Sequence, residues 1–93
     1  MTDISPTLRA KFIERLPIRW SEISLAASAA DCGAALHRLA GAAGSHGFDE
    51  LGQAARRAEL SAKGMEGGWP NAAALEDLRL ALEAATGTQI DTV

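Results

Sequence analysis

The stretch Asp31-Cys32-Gly33-Ala34-Ala35-Leu36-His37-Arg38-Leu39-Ala40-Gly41-Ala42-Ala43-Gly44 governs the reading of this chain. Cys32, Leu36, Leu39 and Ala43 recur at spacings of four, three and four, the stripe of a helix with one buried face. Asp31 stands where a side chain caps a helix start, and Ser45-His46-Gly47 supplies the break after Gly44. Alanine fills most remaining positions. It is the best helix former and the smallest side chain that still packs, so it predicts helices lying close together.

The flanking sequence repeats the pattern. Ser5-Pro6 is a good helix start, and Leu8, Phe12 and Leu16 lay an apolar stripe until Pro17 ends or kinks the helix near Leu16. Trp20, Ile23 and Ala27 resume it, predicting a second segment from about Ile18 to Ala29. Beyond the break, Phe48, Leu51, Ala55, Ala58, Ala62 and Met65 alternate by three and four, predicting a helix from Phe48 to about Lys63. Gly64-Met65-Glu66-Gly67-Gly68 reads as a loop. Trp69-Pro70-Asn71 opens a last helix with Leu75, Leu78, Leu82 and Ala85 on its seam, closed by Thr86-Gly87. The expectation is an all-α antiparallel four-helix bundle preceded by a short or Pro-kinked N-terminal helix. Residues 1–93 form one domain, with about 5–87 helical and 88–93 a frayed tail.

Composition narrows the function classes. The chain has 93 residues, a formal net charge of -3 and 47% hydrophobic residues, with 4% aromatic, one cysteine and no tyrosine. Valine occurs only as Val93, which leaves little material for a sheet. A chain this short buries only about 60–65% of its unfolded surface, so a deep cavity for a large organic cofactor is not expected. A single cysteine makes no intramolecular disulfide. The acidic balance and scattered basic residues argue against nucleic acid, and no apolar run reaches membrane-spanning length. Met1-Thr2-Asp3-Ile4 lacks a basic stretch before an apolar one, so a cytoplasmic, monomeric protein with no membrane insertion is expected.

His37 breaks the otherwise ordinary pattern. It lies about 140° from the centre of its helix's apolar face and so points to solvent. Gly33, Ala34, Ala40 and Gly41 share its surface three and four residues away, with Gly44 a turn beyond. Every one is glycine or alanine. A glycine inside a helix costs about 0.8–1 kcal/mol against alanine. Gly33 and Gly41 therefore cost about 2 kcal/mol of the roughly 5–15 kcal/mol that holds a domain folded. They face away from the seam, so core packing does not account for them. They leave an imidazole on a flat surface that a large, rigid partner can approach closely.

His37-Arg38-Leu39-Ala40-Gly41-Ala42-Ala43-Gly44-Ser45-His46-Gly47-Phe48 strongly resembles the signature of histidine-containing phosphotransfer (HPt) domains. Phe12-Ile13-Glu14-Arg15-Leu16-Pro17 before it, and Glu50-Leu51 through Ala58-Glu59 after it, are similar to the same family, so the resemblance covers nearly the whole chain. It implies a four-helix bundle, often with a short preceding helix, and a relay role in two-component signalling. His37 is by this resemblance the residue that accepts a phosphoryl group from the aspartyl phosphate of a receiver domain and passes it to another receiver. Gly41 keeps its approach clear. The implied partners are response-regulator receiver domains or a hybrid sensor kinase, with Ile4 and Leu8 as candidate docking residues.

One position departs from the family pattern. Members commonly carry lysine or arginine three residues after the histidine, where this chain has Ala40. A cation there stabilises the transferring phosphoryl oxygens. Arg56 and Arg57, level with His37 by counting from the turn, are the candidate substitutes, and Arg38 reaches only the edge of the site. Ala40 also keeps open a second reading, a receiver-binding regulator that retains the bundle without efficient transfer.

An exposed imidazole, with an ordinary pKa near 6.5, is mostly neutral at cytoplasmic pH and nucleophilic. The sequence has no acidic cluster beside His37 for magnesium and no GxxxxGK[ST] loop. The expectation is a covalent carrier without autokinase activity or cofactors of its own, Mg2+ being supplied by the receiver. His46 reads as an ordinary turn residue, Cys32 as a small buried hydrophobe, and Trp20 and Trp69 as packing residues. Cys32, His37 and His46 diverge in angle, so they form no metal site.

Overall fold

Pro17 decides how the chain enters the bundle. It lacks an N–H for the carbonyl one turn upstream and crowds that turn, so a helix cannot run through it unbroken. In the computed structural model, which describes residues 6–87, α1 (Pro6–Glu14) stops and α2 (Leu16–Ser24) begins with the proline in its first turn. There the missing donor has no bond to lose. The break sits at Arg15, whose N–H still reaches back to the Lys11 and Phe12 carbonyls at 3.3 and 3.2 Å.

Next, α2 ends at Ser24, short of the Ala29 that its apolar spacing predicts. Ser28, not Asp31, caps α3 (Ala29–Ser45): its hydroxyl accepts the Asp31 N–H at 3.1 Å. Extended backbone at Ser28 takes the preceding residues out of the helix and places Ala29 in the first turn of α3. Asp31 lies in that first turn, where a carboxylate suits the helix dipole. Ala27, expected on the buried stripe, is exposed in the connection.

His46 is the C-cap of α3, and Gly47 at φ 81° reverses the chain in a conformation that L side chains rarely adopt. From Phe48 the chain enters α4 (Asp49–Ser61), which gives way to 3-10 turns at Ala62–Gly64 and Glu66–Gly68 before α5 (Ala72–Thr86). Met65, at the end of the predicted seam, is thereby exposed. Asn71 caps α5 by accepting the Ala73 N–H at 2.7 Å, and Gly87 closes it at φ 74°.

The fold is all-α among the described residues: α2 packs on α3, α3 on α4, α4 on α5 and α5 back on α2, with short α1 against α2 and α5. Residues from opposite directions meet along α3 and α4, His37 with Glu59 and Gly44 with Gly52, so the pair is antiparallel. Phe12, Leu16, Trp20, Ile23, Cys32, Leu36, Leu39, Ala43, Leu51, Ala55, Ala58, Leu78 and Leu82 form one buried core, which is most of the predicted stripes. Ala35 and Ala54 join it without having been predicted. Leu8 leaves its predicted stripe and is 50% exposed, and Trp69 is only half covered where Trp20 is buried. Ile4 lies outside the described residues.

The turn after α3 is more than a connection. The Phe12 ring stacks on His46 at 4.6 Å and on Phe48 at 5.1 Å, while Arg9 lies over the Phe48 ring. His46 Nδ1–H donates to the Ala42 carbonyl at 2.7 Å. His46 stands in the turn as expected, and by this stacking it also helps pin α1 to the bundle. Cys32 is buried and its thiol is pushed above the usual range by desolvation, which leaves it an inert packing group. Leu39 is fully buried, so Leu39→Ala is expected to destabilise the fold by about 2–5 kcal/mol. Urea denaturation followed by circular dichroism measures this, and an unchanged midpoint contradicts the packing described.

Candidate functional site

α3 presents His37 because its apolar stripe commits the opposite face to the core. The imidazole is 74% exposed. Beside it, α3 and α4 border an open depression of about 300 Å3 lined by His37, Ala40, Gly41, Gly44, Asp49, Gly52, Gln53 and Arg56. Three of the five small residues expected around His37, namely Ala40, Gly41 and Gly44, lie on it. Gly33 and Ala34 lie outside, one turn towards the start of α3.

The glycines fall into two physical kinds. A Cβ at Gly33, Gly41 or Gly44 would meet nothing within 4 Å. The fold itself does not require these residues, and their absent side chains leave open surface along α3. Gly52 is different, and the sequence analysis missed it. A Cβ there would stand 3.3 Å from the Ala40 carbonyl oxygen and 3.5 Å from the Gly44 nitrogen. Its bareness lets α4 lie against the α3 backbone and forms one wall of the depression.

The second missed residue is Glu59. Its Oε2 lies 3.0 Å from His37 Nδ1, with the carboxylate 27% exposed. Counting outward from the turn puts the α4 residues level with His37 near Arg56 and Arg57. The observed partner is two to three residues further on. Arg56 and Glu59, at i and i+3, share the flank of α4 that borders His37. This resolves which flank faces the site: Arg56 lines the depression, while Arg57 and Arg38 are exposed outside it. A polar stripe of Asp49, Gln53, Arg56 and Glu59 thus runs down α4 beside the small-residue surface of α3.

No His/Cys/Asp/Glu group among the described residues could hold a metal ion. Asp49 and Glu59, the carboxylates of the stripe, are ten residues apart, which is about 15 Å along a helix. Two carboxylates so separated cannot converge on one magnesium ion. No helix among the described residues is long and apolar enough to cross a membrane.

A family model described as Hpt domain matches residues 7–87, and the chain belongs to this family. No curated protein and no solved structure gives a significant match. Membership carries the family's general role. Hpt domains are phosphohistidine carriers of phosphorelays, working in two-component signalling with receiver domains.

The two kinds of glycine give opposite expectations. Gly41→Leu should keep or raise helicity and stability, because its side chain enters open space, yet obstruct the approach to His37. Gly52→Val should lower stability by about 1–3 kcal/mol, since the added atoms press on the α3 backbone. Paired thermal melts test the contrast, and equal effects on stability contradict the distinction.

Proposed function

We propose that this chain is a phosphorelay intermediate in which His37 is the phospho-accepting residue. The observation that carries the reading is an exposed imidazole beside a depression bordered on α3 by Gly41 and Gly44, whose missing side chains serve no packing purpose. A receiver domain docks its aspartyl phosphate over this surface, and Gly41 and Gly44 let it come close. The ring nitrogen attacks phosphorus as the bond to the aspartyl oxygen breaks. The carboxylate leaves with the electron pair, and the reverse sequence hands the group to a second receiver.

Phosphoryl transfer needs in-line placement and neutralisation of charge more than covalent help from the protein. Arg56 is the proposed cation on this chain. It borders the depression from α4, where it stands in for the lysine or arginine missing at Ala40. The Mg2+ that neutralises the remaining oxygens belongs to the receiver, since this chain's carboxylates there lie too far apart to hold it. The chain has no phosphate-binding glycine loop, so it takes phosphate from the receiver and not from ATP. Leu8, half-exposed on α1, is a candidate to extend the docking surface. A monomer in the cytoplasm meets all these requirements.

The test uses receiver charged with acetyl phosphate and intact mass to read the transfer. Wild type gains one acid-labile, base-stable phosphate, and His37→Gln gains none. Arg56→Ala slows transfer about tenfold or more, by loss of one charge-stabilising contact, whereas Arg57→Ala stays close to wild type. Phosphate on His37→Gln overturns the proposal. Binding without transfer, with a receiver shown to be charged and cognate, makes the chain a receiver-binding regulator instead.

A further inference from the structure

The outer face of α1 and α2 carries a stripe that the bundle does not bury. Leu8, Lys11, Arg15, Ile18, Glu22 and Leu25 recur at spacings of three, four, three, four and three, the seam of a two-helix coiled coil. All six are exposed, while Phe12, Leu16, Trp20 and Ile23 on the opposite side enter the core. The elbow at Arg15 does not interrupt the stripe. Arg15 keeps right-handed helical backbone, its N–H reaches the Lys11 and Phe12 carbonyls, and its own carbonyl accepts the Arg19 N–H at 3.0 Å. Leu8, Ile18 and Leu25 are 50%, 53% and 61% exposed, so three large aliphatic side chains stand along one line of the surface. Exposed apolar residues scattered singly are ordinary, whereas a row at helical spacing marks a face that another helix can cover.

The order of side chains along the row matches it to itself. Laid antiparallel about a two-fold axis level with Leu16 and Pro17, the stripe sets Leu8 of one copy opposite Leu25 of the other, Lys11 opposite Glu22, and Arg15 opposite Ile18. Apolar ends meet apolar ends, and each Lys11 ammonium meets a carboxylate. The Arg15 stem lies along Ile18 with its guanidinium in water. A parallel pairing would instead set Lys11, Arg15 and Glu22 each against its own copy. None of these three makes an ion pair within its own chain among the described residues. We propose that this face is a self-association surface, on which a second copy of this chain docks antiparallel through α1 and α2. The stripe is about 25 Å long at a rise of about 1.5 Å per residue, and one helix wide. That is less than a standard stable interface, so the pair is weak and depends on concentration. The proposal does not rest on the role of His37. Because α2 and α4 both pack on α3 and lie diagonally across the bundle, pairing leaves the depression between α3 and α4 open on both copies. It does cover Leu8, and so competes with any receiver contact made there.

Sedimentation equilibrium of the full chain, from about 0.02 to about 1 mM at low salt, reads the pairing. The weight-average mass should rise from monomer towards dimer over this range and fall back as salt screens the Lys11–Glu22 pairs. Lys11→Glu and Glu22→Lys each set like charges opposite one another twice per pair, so each should weaken association about fivefold or more. Combining the two swaps restores both attractions and should recover the wild-type constant. Ile18→Arg, which brings a second guanidinium against Arg15, should abolish association. All these positions are exposed, and circular dichroism confirms that the variants are folded. Three results overturn the proposal. The first is a mass that stays monomeric throughout, which assigns the face to a different partner. The second is association that neither single swap weakens. The third is a combined swap that fails to restore what the single swaps remove.

Discussion

The approach of α4 to α3 at Gly52 is the constraint on which the site depends. A side chain there would stand 3.3 Å from the Ala40 carbonyl oxygen, tighter than ordinary contact, so the bare backbone sets how near the two helices lie. Helix separation follows the size of the residues at the crossing, and the side chain that comes nearest the Gly52 position is small: the Cβ of Ala43, 3.6 Å away. The proximity puts a carboxylate of α4 within hydrogen-bond distance of an imidazole on α3 while that imidazole stays largely exposed. A wider crossing would leave His37 on the surface but unoriented. The position of His37 belongs to α3, and the hydrogen bond that orients its ring depends on how closely α4 lies alongside.

Much of this architecture is legible in the sequence because helical periodicity speaks directly to burial. The stripe of Cys32, Leu36, Leu39 and Ala43 is buried, and it forces His37 outward. The places where the reading slipped are those where two local signals compete. Ser28 and Asp31 are both good caps, and only the backbone conformation shows that Ser28 takes the role, shortening α2 and lengthening α3. His46 carries no periodic signal at all. Its place against Phe12 depends on the return of α1 across the turn, a contact 34 residues away in sequence.

The site was legible on α3 and largely hidden on α4, for a geometric reason. Residues on one helix have fixed angular relations, so the small-residue surface around His37 follows from spacing alone. Across two helices, both rotation and axial register are needed, and neither is written locally. Counting from the turn assumes that both helices leave it level, whereas the observed partner of His37 is Glu59, one turn beyond Arg56. A signal was nevertheless present. Gly52 interrupts a good helix-forming run, and a glycine in a helix interior facing a neighbouring helix marks close approach more often than freedom.

The substitution at Ala40 takes on a different meaning beside this geometry. Ala40 packs against the core, and its carbonyl oxygen faces the bare Gly52. It also lines the depression, so a long cationic side chain at this position would cross the space that Arg56 borders from α4. Two like charges a few ångströms apart raise each other's energy, whereas one suffices to meet a phosphoryl oxygen. Small Ala40 and cationic Arg56 are therefore compatible choices: the first keeps the crossing close and the depression open, and the second supplies charge from the opposite wall. In the proposed relay, the cation and the carboxylate then come from a single flank of α4, and α3 contributes the nucleophile and a surface with nothing in the way.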